Sequence, residues 1–166
     1  MNVSDGFFIM AYQRILDLLK QQGIEFILHE HDAVRTIDDA NERAAHLVER
    51  LIKTIVFKVK DDGWILAGIP AHGRIDYRKL AAALGVNRRQ LRSVSPEEIE
   101  RELGFQIGGV GPIPVQADVR AIFDASLLAI EFARCGSGKN TETLELRFSD
   151  LLRVTHGETH EILQAE

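Results

Sequence analysis

The sequence is short of cysteine, of basic charge and of long apolar runs, and each shortage closes off a class of function. One cysteine, Cys135, rules out an internal disulfide and a cysteine-rich zinc site. No apolar run approaches the roughly 18 residues that would cross a bilayer, so no membrane partner is expected. The first ten residues lack a basic n-region and carry only a short apolar patch, Phe7, Phe8 and Ile9. They do not read as a signal peptide, and the expected location is the cytoplasm. The formal net charge of -5 argues against extended contact with a duplex backbone. Arg88, Arg89 and Arg92, preceded by Arg74, Arg78 and Lys79, form a local basic cluster compatible with touching an RNA end. A solvated surface explains them as simply.

What is present reads as one alternating α/β domain over residues 1–166, with its core at about 10–155. There is no repeat and no flexible linker. Residues 11–22 place Ile15, Leu18 and Leu19 on one helical stripe that Gly23 ends. Ile24, Phe26 and Leu28 alternate as a strand. Thr36, followed by Asp38 and Asp39, opens a helix expected to run to about Val48. Residues 53–60 and 64–69 form a hairpin across Asp61-Asp62-Gly63. Helices follow from near Asp76 to Gly85 and from Ser95-Pro96 to Gly104. The loop Gly108-Gly109-Val110-Gly111-Pro112 is too rich in glycine for a helix or strand. Residues 121–123, 129–133 and 143–148 read as strands, Ser149-Asp150 caps a short turn, and the tail after Thr155 is polar.

This order of pieces resembles a known family. Lys53-Thr54 opens a strand, and the hairpin ends in Ile69-Pro70. Ile75-Asp76 and the helix Lys79–Gly85 come next. Then follow Gly108–Pro112, Cys135-Gly136-Ser137-Gly138, Leu144-Glu145-Leu146 and Asp150-Leu151-Leu152. Upstream, His31-Asp32 and Arg35–Ala40 fit as well. The set is similar to the YbaK and prolyl-tRNA synthetase insertion-domain family, and the ordered set is far more specific than any single motif. The resemblance implies a mixed, strongly curved, barrel-like β-sheet surrounded by helices, with a pocket between sheet and glycine loop. It implies an aminoacyl-tRNA deacylase acting in trans. The ester cleaved would join a small wrong amino acid, such as Cys, Ala or Ser, to transfer RNA for proline. The implied partners are the acceptor end of that RNA and an aminoacyl-tRNA synthetase. No cofactor or metal is expected.

An aminoacyl ester is already activated, so preorganised dipoles can suffice and no catalytic triad is required. The resemblance marks Lys53 as functionally critical, where an ammonium could hold a phosphate or a polar group of the ester. Gly108, Gly109 and Gly111 can bring backbone N–H groups close to an oxyanion, and Pro112 stiffens the loop. Thr36 and Thr54 are assigned to the pocket wall. Gly136, Gly138, Asn140 and Thr143 are assigned to the amino-acid pocket. Relatives include some with a histidine in this last segment, and none stands between Cys135 and Leu146 here. A changed polar lining can change the substrate.

Other signals carry less. Gly136–Thr141 fails as a phosphate loop because its first glycine and its Ser/Thr are missing and a strand follows. His156 and His160 do not match the zincin spacing. His29 and His31 alternate along an extended segment and so share a face, either solvent-facing or with one member bonded to Asp32. Cys135 reads as a small buried hydrophobe. The alternative to an enzyme is a binding module of the same fold that captures an aminoacyl or nucleotide-like ligand, or a protein partner.

Overall fold

In a computed structural model of the protein, the described residues are 3–33 and 49–165, with side chains described from Ala11 onward. The helix expected after Thr36, and with it Thr36 and Asp38, lies outside them.

Helix α1 (Val3–Gln21) starts well before the apolar stripe that predicted it. Gly23, at φ 67°, turns the chain out of it in the left-handed conformation that favours glycine. Strand β1 is Ile27–Glu30, a few residues later than the alternation suggested. Ile24 is instead buried as a helix-to-strand connector. The hairpin forms as expected from β2 (Ile52–Val59) and β3 (Trp64–Pro70). Asp76 caps α2 (Tyr77–Leu84) by accepting from the N–H groups of Arg78 and Lys79, and Gly85 stops it. A single 3-10 turn, Arg88–Gln90, leads into β4 (Leu91–Ser93). Ser95 caps α3 (Pro96–Leu103), with proline in its first turn as the sequence pattern demanded.

After the glycine loop come β5 (Val119–Asp124), a 3-10 turn (Ala125–Ala129), β6 (Phe132–Gly136) and β7 (Glu142–Arg147). Helix α4 (Phe148–Thr155) begins without a side-chain cap, so Ser149-Asp150 sits inside it rather than ahead of it. The polar tail makes β8 (Glu158–His160), parallel to β5. Periodicity could not reveal that strand, because it is held through the backbone at a sheet edge. Asp124 fastens it by accepting from the N–H of Ile162, whose side chain is fully buried.

The strands form a three-stranded sheet, β1-β7-β6, and a five-stranded mixed sheet, β4-β2-β3-β5-β8. Two cores sit on opposite faces of the larger sheet. One joins Val56, Leu66 and Phe123 to Ile15, Leu19, Leu103, Leu144 and Leu151, and so binds the two sheets to α1, α3 and α4. The other packs Phe57, Ile65, Ala67 and Ile69 under Leu80 and Ala81 of α2. Strand β3 is therefore covered on both faces, which is why it reads as a nearly continuous apolar run.

Candidate active site

The two sheets meet at one seam. Leu51 and Arg134 form an isolated parallel bridge, and the Arg134 N–H donates to Arg50 O at 3.1 Å. Beyond that bridge the pairing stops. The same edge of β2 is taken up again only at Phe57, by β4. Between these points no strand among the described residues pairs with that edge.

The register fixes which residues share a face there. Paired residues project to one face, and every second residue returns to it. Leu51 pairs with Arg134, so Lys53 and Gly136 project to that same face. Gly136 pairs with Thr143, and Thr143 with His29. One face of the joined sheets therefore carries Lys53, Gly136, Thr143 and His29. The opposite face carries Ile52, Val56, Cys135 and Leu144, which belong to the core.

The glycine loop lies over this face. A Cβ on Gly136 would stand 2.5 Å from Val110 C and closer still to Val110 O. A Cβ on Gly111 would fall on the carbonyl of Gly136 in the same way. A Cβ on Gly109 would stand 2.6 Å from Lys139 C. The two glycine segments thus touch backbone to backbone, which any larger residue forbids. Hydrogen bonds lock them together. The Gly138 N–H donates to Gly109 O at 2.8 Å and the Gln106 N–H to Gly138 O at 3.0 Å. Asn140 completes the clasp: its N–H donates to Gln106 Oε1 at 2.8 Å and its side-chain amide to Ile107 O at 3.0 Å. Gly138, at φ 103°, needs its glycine conformation to make the turn. Asn140 and Gly138 are thereby placed as braces of the loop. The Gly109 N–H is committed to Gln106 O at 2.7 Å, which leaves Gly108 and Gly111 as the glycine amides without a backbone acceptor among the described residues. Pro112 is buried.

Lys53 is partly buried, and its Nζ donates to Gly73 O at 2.9 Å in the turn after β3. Burial, reinforced by repulsion from Arg74, holds its pKa below the usual lysine range. Thr54 projects to the other face, toward the core. Its Oγ1 is buried and has no hydrogen-bond partner among the described residues.

Beyond Gly136 the face becomes polar. Arg134 donates to Glu145 Oε1 at 2.8 Å, and His29 Nε2 lies 3.4 Å from the same oxygen. The guanidinium holds the Glu145 carboxyl below the usual range. His31 reaches further and places Nε2 at 2.8 Å from Thr143 Oγ1, while its Nδ1 meets Asp32 O at 2.8 Å. The period-2 spacing of the histidines predicted their shared face. The Thr143 contact spans the whole chain and had no signal in sequence.

Half of the basic cluster is occupied within the fold. Arg92 grips Glu98 through both carboxylate oxygens at 2.9 and 3.0 Å, Arg88 stacks on Tyr77, and Lys79 donates to Leu163 O. Gly136–Thr141 joins two strands rather than opening a helix, as its failed phosphate-loop pattern implied. Cys135 is fully buried, with burial pushing its thiol up to about 12. A groove of about 420 Å³ runs between α1 and Pro114–Gln116, and none of the predicted site residues lines it.

Residues 31–154 match the aminoacyl-tRNA editing domain. The chain belongs to that family. Relatives of this editing domain agree across nearly the whole chain. The multifunctional Ser/Thr-tRNA deacylase ProXp-y of Escherichia coli K12 is 26% identical over 153 residues, covering 90% of each chain. The prolyl-tRNA editing protein ProX of Acetoanaerobium sticklandii is 24% identical over 149 residues, covering 87% of this chain and 90% of its own. A candidate trans-editing enzyme for prolyl tRNA synthetase, known from its crystal structure, superposes with a TM-score of 0.75 at 24% identity, covering 93% and 98%. That likeness supports the fold.

Proposed function

We propose that this editing domain is a trans-acting aminoacyl-tRNA deacylase. It hydrolyses the ester that joins a small, wrongly attached amino acid to the terminal ribose of a transfer RNA. The observation that supports the reading is the shared face: the Leu51–Arg134 bridge sets Lys53 and Gly136 to the same side of the joined sheets, and the Gly109–Gly111 backbone is seated on that same glycine. Family membership supplies the substrate class, and the geometry supplies a chemistry that fits it.

In that chemistry a water adds to the ester carbonyl, and negative charge gathers on the carbonyl oxygen. The N–H groups of Gly108 and Gly111 are the donors available to that oxyanion. Such fixed dipoles need no reorganisation as the charge develops. The intermediate collapses by expelling the ribose oxygen, which takes up a proton. Lys53, a partly buried cation beside Arg74, anchors the ribose-phosphate end. Contact confined to the acceptor end is consistent with a net charge of -5. The RNA served is that for proline, and a synthetase is the natural source of the mischarged substrate.

The test is deacylation of a panel of mischarged transfer RNAs by wild type and by Lys53→Ala. The reading expects free amino acid to be released from at least one small aminoacyl ester, and much more slowly by the variant. Thermal stabilisation by the RNA without any product would replace the enzyme with a binding module. Equal rates for both proteins would remove Lys53 from the site.

A further inference from the structure

The turn that receives Lys53 is held from outside its own hairpin. Gly73 O accepts from Lys53 Nζ at 2.9 Å, and Arg74 is the next residue along. Bonds local to the hairpin tie the start of this turn: the Ala71 N–H donates to Leu51 O at 3.1 Å and the Gly73 N–H to Pro70 O at 2.9 Å. From Arg74 onward the partners belong to the C-terminal tail. The Gln164 N–H donates to Arg74 O at 2.9 Å and the Asp76 N–H to Ile162 O at 2.8 Å, on either side of an isolated antiparallel bridge between Ile75 and Leu163. The Gln164 side-chain amide donates to Ile75 O at 3.0 Å. Leu163 covers Gly73 closely, since a Cβ there would stand 2.9 Å from Leu163 Cδ2. The tail is itself anchored. Ile162 is fully buried and its N–H donates to Asp124, while Lys79 donates to Leu163 O at 3.0 Å. The match to the editing domain stops at residue 154, and these tail residues lie beyond it.

We propose that Leu163 and Gln164 are positioning residues for Lys53: they clamp the turn over residues 73–76, whose Gly73 carbonyl fixes where the ammonium points. The inference rests on the deacylase reading above, in which Lys53 anchors the ribose-phosphate end. An ammonium on a four-carbon stem is flexible, and a fixed acceptor removes that freedom before substrate arrives. A carbonyl on an unsupported turn does not serve, because a loop with few buried contacts opens easily. Leu163 supplies the apolar contact, packed against the core beneath α2. Gln164 supplies two bonds, one from its backbone and one from its side chain. Without them the turn keeps only its attachment to the hairpin end, and the Gly73 carbonyl and Arg74 drift away from Lys53 together.

The experiment measures single-turnover deacylation, and the titration of Lys53 by NMR of labelled lysine side chains. The proteins are wild type, Leu163→Ala, Leu163→Met, Gln164→Ala and Leu91→Ala. Leu91 is the stability control: it is buried in the same core, on a strand that pairs with β2 at Phe57–Val59 rather than at Lys53. Leu163→Ala should slow deacylation by about 10- to 100-fold, the scale set by a misplacement of about 1 Å. Leu163→Met should keep the rate, and Gln164→Ala should lose part of it. Opening the turn hydrates the ammonium and takes Arg74 away from it, which removes both causes that hold its pKa down. The Lys53 titration should therefore move upward in Leu163→Ala. Leu91→Ala should unfold more easily, with Lys53 titrating as in wild type. A Lys53 titration unmoved in Leu163→Ala overturns the inference, as does an equal rate loss in Leu91→Ala. A wild type that hydrolyses no ester, with the titration moving as expected, removes the deacylase reading and leaves the clamp.

Discussion

Replacing Gly136 by alanine tests the site where its geometry is tightest. The new Cβ would stand 2.5 Å from Val110 C and 2.9 Å from Gly109 O. Carbon atoms pack at about 3.5–4.0 Å, so the Gly109–Gly111 segment must retreat by about 1 Å. No flexible side chain can absorb the shift, because both partners are backbone. The Gly138 N–H to Gly109 O bond, now 2.8 Å, would stretch by a similar amount and leave hydrogen-bond range. Overpacking of this kind costs about 1–3 kcal/mol, and the lost bond adds about 1 kcal/mol. A displacement of about 1 Å in a group that orients substrate lowers the rate by about 100-fold. The assay pairs urea unfolding with single-turnover deacylation. Gly23→Ala is the control: nothing lies within 4 Å of its Cβ, so only its φ of +67° resists. It should lose about 1 kcal/mol with the rate kept. A Gly136→Ala protein that unfolds at the wild-type midpoint and turns over at the wild-type rate would refute the clasp.

Three further outcomes are expected. The proposed role of Lys53 requires a cation, and burial and Arg74 hold its pKa below the usual lysine range. Deacylation should therefore fall on the alkaline side at a lower pH than an exposed lysine would give, and Arg74→Ala should move that limb upward. An alkaline limb unmoved in Arg74→Ala would disconnect it from Lys53. Asp124 is buried, and its burial would raise its pKa, but bonds from the Ile162 and Ser126 N–H groups and the Ser126 hydroxyl outweigh this and hold it low. Its stabilisation is full above the ordinary aspartate pKa and drains away as pH falls through the lowered one. Asp124→Asn should thus cost stability at neutral pH, with the deficit shrinking in acid as measured by thermal unfolding; a pH-independent deficit contradicts the linkage. Finally, the thiol of Cys135, fully buried and pushed up to about 12, should react with an aromatic disulfide reagent only at the rate of unfolding. Fast labelling of the native protein would contradict that burial.

The parts of this protein that depend on neighbouring residues in the chain were legible in its sequence. Asp76, Gly85, Ser95, Pro96 and Gly104 bound their helices where a cap or a left-handed residue must stand, and the β2–β3 hairpin follows from alternation around a polar turn. The same local logic marked Gly108–Pro112 as irregular backbone and placed His29 and His31 on one side, but it read Cys135–Asn140 as a loop, where Cys135 and Gly136 in fact end β6. Composition set the limits on membrane, disulfide and duplex-binding roles. Pairing between distant segments was decided only by the tertiary structure. The Leu51–Arg134 bridge puts Lys53 level with Gly136, and the close approach of Val110 to Gly136 makes both glycine segments one surface. Strand β8 forms because a buried Asp124 holds the Ile162 N–H, and His31 meets Thr143 because β1 pairs with β7. Hydrogen bonds across a sheet carry no mark in the local pattern of the residues that make them, since any backbone can supply them. The chemistry of this site depends on such bonds.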